Sequence, residues 1–297
     1  MRFIPEYKLN IIKEVDFPEA IKQIEARLEP CRNSGFFDSF DGKKLYFEYF
    51  LAENSVASVV IVHGLSEFTK KYYEMAYYFL NQGYNVFVFD QRCHGKSCRL
   101  TDNTEWLHVD DFDDYVKDLE LFINNIVLPT DNKPLYIYTH SMGGAITMLY
   151  LAKNCDMIER AVLSAPLFEP IVGKVSTFVA KCAVKYWKFK HGSKSKFKFS
   201  SDFDPEVKHN PKVDSSKARF EHNIGMRRNN REYQSGAMTL GWVNSSLAVR
   251  KKIMRSAVRG KYKLPLLLFS AENDTVVNLD AHYEFDKKCK TCQLISV

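Results

Sequence analysis

Five short apolar runs constrain this chain more than any other feature. They read ASVVIV at 57–62, YNVFVF at 84–89, LYIY at 135–138, RAVLS at 160–164 and LPLLLFS at 264–270. Each is long enough for one strand and shorter than a typical helix, and each runs into a turn-forming or polar residue. Unbroken rather than alternating apolarity means burial on both faces, as in the interior strands of a parallel sheet. Segments with helical spacing lie among them: KYYEMAYYFLNQG, which stops at Gly83, then FDDYVKDLELFINNIV and MGGAITMLYLAK. Strand–helix alternation of this kind implies an α/β fold with a mostly parallel central sheet and helices on both faces.

The alternation has a beginning, an interruption and a return. Residues 1–32 read as an amphipathic leader with helical content in PEAIKQIEARL. GFFDSF, a turn at Asp41-Gly42 and KKLYFEYFLA then make a hairpin. After Pro166 the pattern breaks off into a basic, aromatic, mostly helical stretch with a loop-like middle from Gly192 to Asp214. It resumes at LPLLLFSAENDTVV, continues through the helix LDAHYEFDKKC and reaches the strand CQLISV. The expected organisation is a core in two parts, 1–166 and 261–297, around a helical insertion at 167–260 that serves as a cap or lid. The length of 297 residues suits one such domain.

Charge separates the insertion from the core. Pro166–Lys263 holds 22 Lys and Arg against 7 Asp and Glu, a net of +15, whereas the rest of the chain carries −9. A stretch this basic suits an anionic membrane surface or another polyanion; the plainer alternative is a solvated helical insertion. FVAKCAVKYWKFKHGSKSKFKF at 178–199 interleaves lysine with aromatic rings. Rings favour the membrane interface and lysines attract anionic headgroups, or else the rings are buried on the core with the lysines in water. No nucleic-acid-binding motif accompanies the charge, so nucleic acid is not expected as a partner. No run of about 18 apolar residues suggests a membrane span, and the N-terminus lacks an apolar signal core. A cytoplasmic protein is expected, peripheral at the inner face of the membrane if the cap binds lipid. Seven scattered cysteines suggest reduced thiols, and the lone CKTC at 289–292 lacks the second pair a metal site would need.

The chemistry centres on YIYTHSMGGA at 136–145. Ser141 falls where a strand turns sharply into a helix, a turn that strains the backbone and lifts the hydroxyl above the sheet. Gly143 and Gly144 supply the small residues needed where strand and helix pass closely. Thr139 stands where a glycine is usual. In IVHGLSE the turn after a strand aims backbone N–H groups inward, so Leu65 and Met142 amides are the pair expected to hold an oxyanion; an ordinary glycine turn is the alternative. In SAENDTVV an acid follows a late strand. Asp274 is the expected partner of an imidazole, unless it is a turn or cap aspartate, and Glu272 is a second candidate.

Taken together, HGLSEFTKKYYEMAYYFLNQGYNVFVFDQRCHGKS, HVDDFDDYVKDLELFI, THSMGG and SAENDTVV resemble the bacterial lysophospholipases of the α/β-hydrolase superfamily, relatives of monoacylglycerol lipases often labelled serine aminopeptidase-like. The resemblance covers about residues 35–297. It implies an α/β-hydrolase fold, a serine ester hydrolase, Ser141 as nucleophile, Asp274 as acid, Leu65 and Met142 as oxyanion donors, and 167–260 as a cap over an acyl pocket. The substrate would be a lysophospholipid or monoacylglycerol, with no cofactor or metal. One departure is RCHG, with Cys93 where the family has glycine.

The resemblance places the base in the loop after the last strand, so the histidine loop and closing helix are expected to lie beyond Val297. The histidines present fit poorly: His63 belongs to the oxyanion turn, His140 should point away from Ser141, and His94 and His108 lie in a turn and before a helix. His191, His209 and His222 fall in the cap, and His282 is the substitute to consider. Either the chain belongs to a longer enzyme, or it is an impaired hydrolase fold used as a lipid- or protein-binding module. As written, it is expected to turn over substrate at a sharply reduced rate. Another ester or peptide specificity stays open.

Overall fold

The computed structural model describes residues 1–297 apart from Lys174 and Lys212, both inside the interval read as a cap. An eight-stranded sheet in the order β1-β2-β4-β3-β5-β6-β7-β8 organises the chain. The hairpin expected around Asp41-Gly42 is β1 (Arg32–Asp38) with β2 (Lys44–Phe50), and Gly42 takes a positive φ of 73°. β2 also runs antiparallel to β4 (Tyr84–Phe89). From β4 onward every pairing is parallel, through β3 (Ala57–Val62), β5 (Leu135–His140), β6 (Arg160–Ser164), β7 (Leu266–Ser270) and β8 (Cys292–Ser296). The five apolar runs are thus five adjacent strands.

Side-chain alternation along these strands feeds two cores. Val60, Val62, Phe87, Phe89, Ile137, Leu163 and Leu268 face one side. There they meet α3 (Phe112–Phe122), α5 (Met142–Leu151), α8 (Leu240–Val258) and α9 (Leu279–Lys288). A π turn at Ile123–Val127 carries α3 into the single turn α4 (Leu128–Thr130). Val59, Ile61, Val86 and Val88 face the other side, against α1 (Phe17–Leu28) and α2 (Tyr73–Asn81). Farther along that second face, Tyr136, Tyr138, Val162, Leu267 and Phe269 stay half-buried. A groove of about 620 Å³ runs there past Tyr136, Tyr138 and Val162.

Between β6 and β7 the chain forms α6 (Thr177–His191), α7 (Lys217–Asn229) and α8. Ser176, Ser216 and Thr239 start them by accepting backbone N–H groups of the first turn. The three helices differ in depth. α8 buries Trp242, Leu247, Val249 and Ile253 in the main core, whereas Val184 and Ile224 are the buried side chains of α6 and α7 among the described residues. α7 is fastened by the leader. Arg219 donates to the Glu74 carboxylate on α2 and to Ile12 O, lies 3.3 Å from Glu14, and stacks over the Phe17 ring.

The closest approach of backbone to backbone at a glycine is at Gly143. A Cβ there would fall 2.0 Å from Val62 O and 2.8 Å from His63 O, and both atoms are backbone. Neither can move without separating α5 from β3. Gly143→Ala is therefore expected to cost about 3 kcal/mol or more, at the upper end of overpacking penalties, as measured by urea unfolding.

Candidate active site

Four segments meet at the carboxyl edge of the parallel strands, where open α/β sheets bind ligands. The first is the turn after β5. Ser141 adopts φ 49° and ψ −116°, a left-handed conformation costly for any residue with a Cβ. The turn is over-determined by its neighbours: Ser141 N donates to Ser164 O, while Ser141 O accepts Leu167 N and Gly144 N. The Ser141 hydroxyl does not cap α5. Thr139 fits in place of glycine because its side chain is fully buried, with Oγ1 3.3 Å from where a Gly144 Cβ would lie. That hydroxyl has no hydrogen-bond partner among the described residues.

The second segment is the turn after β3. The same contact that excludes a side chain at Gly143 presses this turn against the start of α5. Among the described residues neither Leu65 N nor Met142 N donates to a backbone acceptor. Most buried amides in proteins are paired, so these two are left as free donors on the turns after β3 and β5. His63 is the strut beneath. Gln91 N donates to its Nε2 at 3.0 Å and its Nδ1 lies 2.8 Å from Gly64 O, so the proton sits on Nδ1 and the ring is neutral. Burial lowers its pKa to about 4.

The other two segments follow β6 and β7. Asp274 is half-buried, and its Oδ1 accepts Val276 N at 2.7 Å and Val277 N at 2.9 Å. This loop is tied to the chain after β6, since Ile171 N donates to Val276 O and Asn278 N to Glu169 O. Glu169 in turn receives Arg250 from α8, Asn278 Nδ2 and the Thr177 hydroxyl at the start of α6. Ser141 follows β5 and Asp274 follows β7, two strands away, which is about 10 Å across the sheet at the usual strand spacing. Glu272, the second acid candidate, is exposed.

Histidines near this edge are engaged elsewhere. His140 has its Nδ1 3.0 Å from Glu67 Oε1. His282 is fully buried, its Nδ1 2.9 Å from Ser270 Oγ and its Nε2 2.7 Å from Pro166 O, so both ring nitrogens are occupied. His94 packs edge-on against His63 with Nδ1 2.9 Å from Arg92 O, and its buried Nε2 has no hydrogen-bond partner among the described residues. Cys93, where the resemblance has glycine, is buried with a φ of 64°, a conformation that suits glycine. Sequence reasoning missed Glu67 and the Glu169–Arg250 pair. For Glu67 a signal existed in HGLSEFTKK, where an acid and a lysine stand four residues apart; for Arg250 no local signal exists.

An α/β-hydrolase is defined by this sheet, this serine turn and this order of segments. The family described as serine aminopeptidase, S33, matches residues 53–296, and the chain belongs to that family. Lysophospholipase L2 of Escherichia coli K12 is 29% identical over 260 residues, which cover 86% of this chain and 74% of that protein. Among solved structures, a soluble variant of Saccharomyces cerevisiae monoglyceride lipase, in complex with a substrate analog, shares the fold. It has a TM-score of 0.67 and 18% identity, over 88% of this chain and 85% of the other. A carboxyl esterase from Bacillus coagulans does so with a TM-score of 0.69 and 15% identity, over 90% and 89%.

The His63 assignment is open to measurement. Its pKa lies below the ordinary 6.5, so the unfolded chain binds a proton that the native ring refuses. This ring's contribution to stability is complete above about pH 6.5 and is lost as pH falls through about 4. By NMR, His63 should keep its neutral chemical shift at pH 5, and protonation there would remove the strut described above.

Proposed function

We propose that the chain is a carboxylic ester hydrolase that uses Ser141 to cleave lysophospholipids or monoacylglycerols. The observation that carries this reading is the strained Ser141 turn pressed against two open amide donors. The Ser141 hydroxyl attacks the acyl carbonyl, and the oxygen that becomes negative is held by Leu65 N–H and Met142 N–H, where such donors contribute most. Asp274 orients the imidazole that serves as base. That ring takes the serine proton, returns it to the leaving alcohol, and then activates the water that cleaves the acyl-enzyme. The occupied nitrogens of His282 argue against it as the base. The substrate class is taken from the names of relatives, a lysophospholipase and a monoglyceride lipase.

Residues 167–260 act as the lid in this reading, with α6 as its membrane-facing element. Phe178 is 75% exposed, Phe189 90% and Phe199 71%, which goes against the plainer alternative for these rings, whereas Trp187 and Phe197 of the same stretch pack against the core. They share this part of the surface with Lys181, Lys185, Lys188 and Lys190. Exposed rings and lysines along one helix suit an interaction surface. No helix among the described residues is long and apolar enough to cross a membrane, so contact would be peripheral.

Two experiments test the reading. A fluorophosphonate should label Ser141 and fail on Ser141→Ala. Asp274→Asn should slow ester turnover roughly 10³–10⁴-fold, the scale on which triad acids act. Absence of label on folded protein would favour a binding module, and cleavage of aminoacyl amides alone would favour peptidase chemistry. Separately, vesicles containing phosphatidylserine should retain the protein at low salt and release it as salt rises, and Phe178→Ser with Phe189→Ser should weaken retention. Equal binding to neutral vesicles at all salt concentrations would sink the basic-cap idea.

A further inference from the structure

The chemistry above leaves Glu67 unused, although it lies between the two turns of the site. Its side chain is 5% exposed. Oε2 accepts Gly64 N–H at 2.5 Å and the Tyr72 hydroxyl at 2.6 Å. Oε1 pairs with Lys71 Nζ and lies 3.0 Å from His140 Nδ1. Gly64 precedes Leu65, and His140 precedes Ser141. A Cβ on Gly64 would come within 2.8 Å of Glu67 Oε2 and 3.0 Å of His140 Nδ1, so the three groups are in mutual contact.

We infer that Glu67 is a positioning residue, whose carboxylate ties the turn after β3 to the turn after β5 and so sets the distance between Leu65 N–H and the Ser141 hydroxyl. The inference rests on the reading of Ser141 and Leu65 given above. Its logic is local. Once the Gly64 amide is taken by Glu67, the orientation of that peptide is fixed, and the next amide is left to face the edge of the sheet. The other oxygen reaches across to the residue before the nucleophile, so a shift of either turn would break a bond on the same carboxylate. Four partners on one carboxylate make such a bond stiff, and charge-assisted bonds are the strong ones. Burial pushes Glu67 upward, but His140 and Lys71 outweigh it and hold the carboxyl well below its usual range, so the anion persists at neutral pH. A purely structural ion would satisfy the same contacts without affecting the reaction once the protein is folded.

Glu67→Gln and Glu67→Ala separate these possibilities, with folding checked by circular dichroism and thermal melting. Gln keeps a carbonyl for the Gly64 amide and loses the charge, whereas Ala loses both. Small displacements of an oxyanion donor cost roughly 10–100-fold in rate. Ester turnover should therefore fall about tenfold in kcat for Gln and about a hundredfold for Ala, with KM changed less than twofold in each. Hydrogen exchange at the Gly64 amide, which needs no catalysis, should accelerate at least tenfold in Ala and less in Gln. Unchanged kcat in both folded variants overturns the inference, as does unchanged Gly64 exchange in Glu67→Ala. Failure of fluorophosphonate to label unaltered Ser141 sinks the nucleophile reading instead, and the exchange measurement then still reports whether Glu67 holds the turn.

Discussion

The backbone of Val62 and the backbone of Gly143 share a space too small for a methyl group. Everything at the carboxyl edge of the sheet depends on that approach. β3 and β5 are neighbouring parallel strands, so the turns that follow them leave the sheet side by side. Packing the first turn of α5 onto the end of β3 brings those turns into contact, and a positive φ at Ser141 is the cost of making the chain reverse there. The strain persists because Ser164 O, Leu167 N and Gly144 N all hold the Ser141 peptide groups.

Polar side chains then lock what the backbone has brought together. Glu67 spans the two turns, His63 props the first of them, and Glu169 gathers the loop bearing Asp274, the start of α6 and Arg250 from α8. These groups are buried, and buried polar groups are tolerable only when paired. The same pairing links the inserted helices to the core unevenly. α8 is part of the hydrophobic interior, α7 is held to the leader and α2 through Arg219, and α6 keeps most of its apolar side chains in solvent. That gradient leaves α6, although packed along α8, as the inserted helix with the most apolar surface free to meet another surface.

Much of this was legible in the sequence, for identifiable reasons. The apolar runs were readable because unbroken apolarity suits interior strands of a parallel sheet; β3 and β4 are buried on both faces, whereas β5, β6 and β7 bury one face and leave the other half-buried. The serine turn was readable because glycines two and three residues after a polar residue at a strand end have few uses besides close packing. The Asp41-Gly42 hairpin followed from turn chemistry alone. The exposure of Phe178 and Phe189 was not readable, since alternating lysine and aromatic residues fit either side of a helix. Nor was the depth of α8, whose Trp242 and Ile253 look no more apolar in sequence than the residues of α6. Arg250 and Glu169 stand 81 residues apart, and no local pattern connects them.

Local periodicity and turn chemistry, which act over a few residues, determined by themselves the strands, the helices flanking them and the strained serine. Which buried carboxylate joins the two turns, which histidine nitrogens are already occupied and which inserted helix faces water were decided only when the chain closed. Those outcomes depend on contacts between segments far apart in sequence, and burial and pairing are properties of the packed whole.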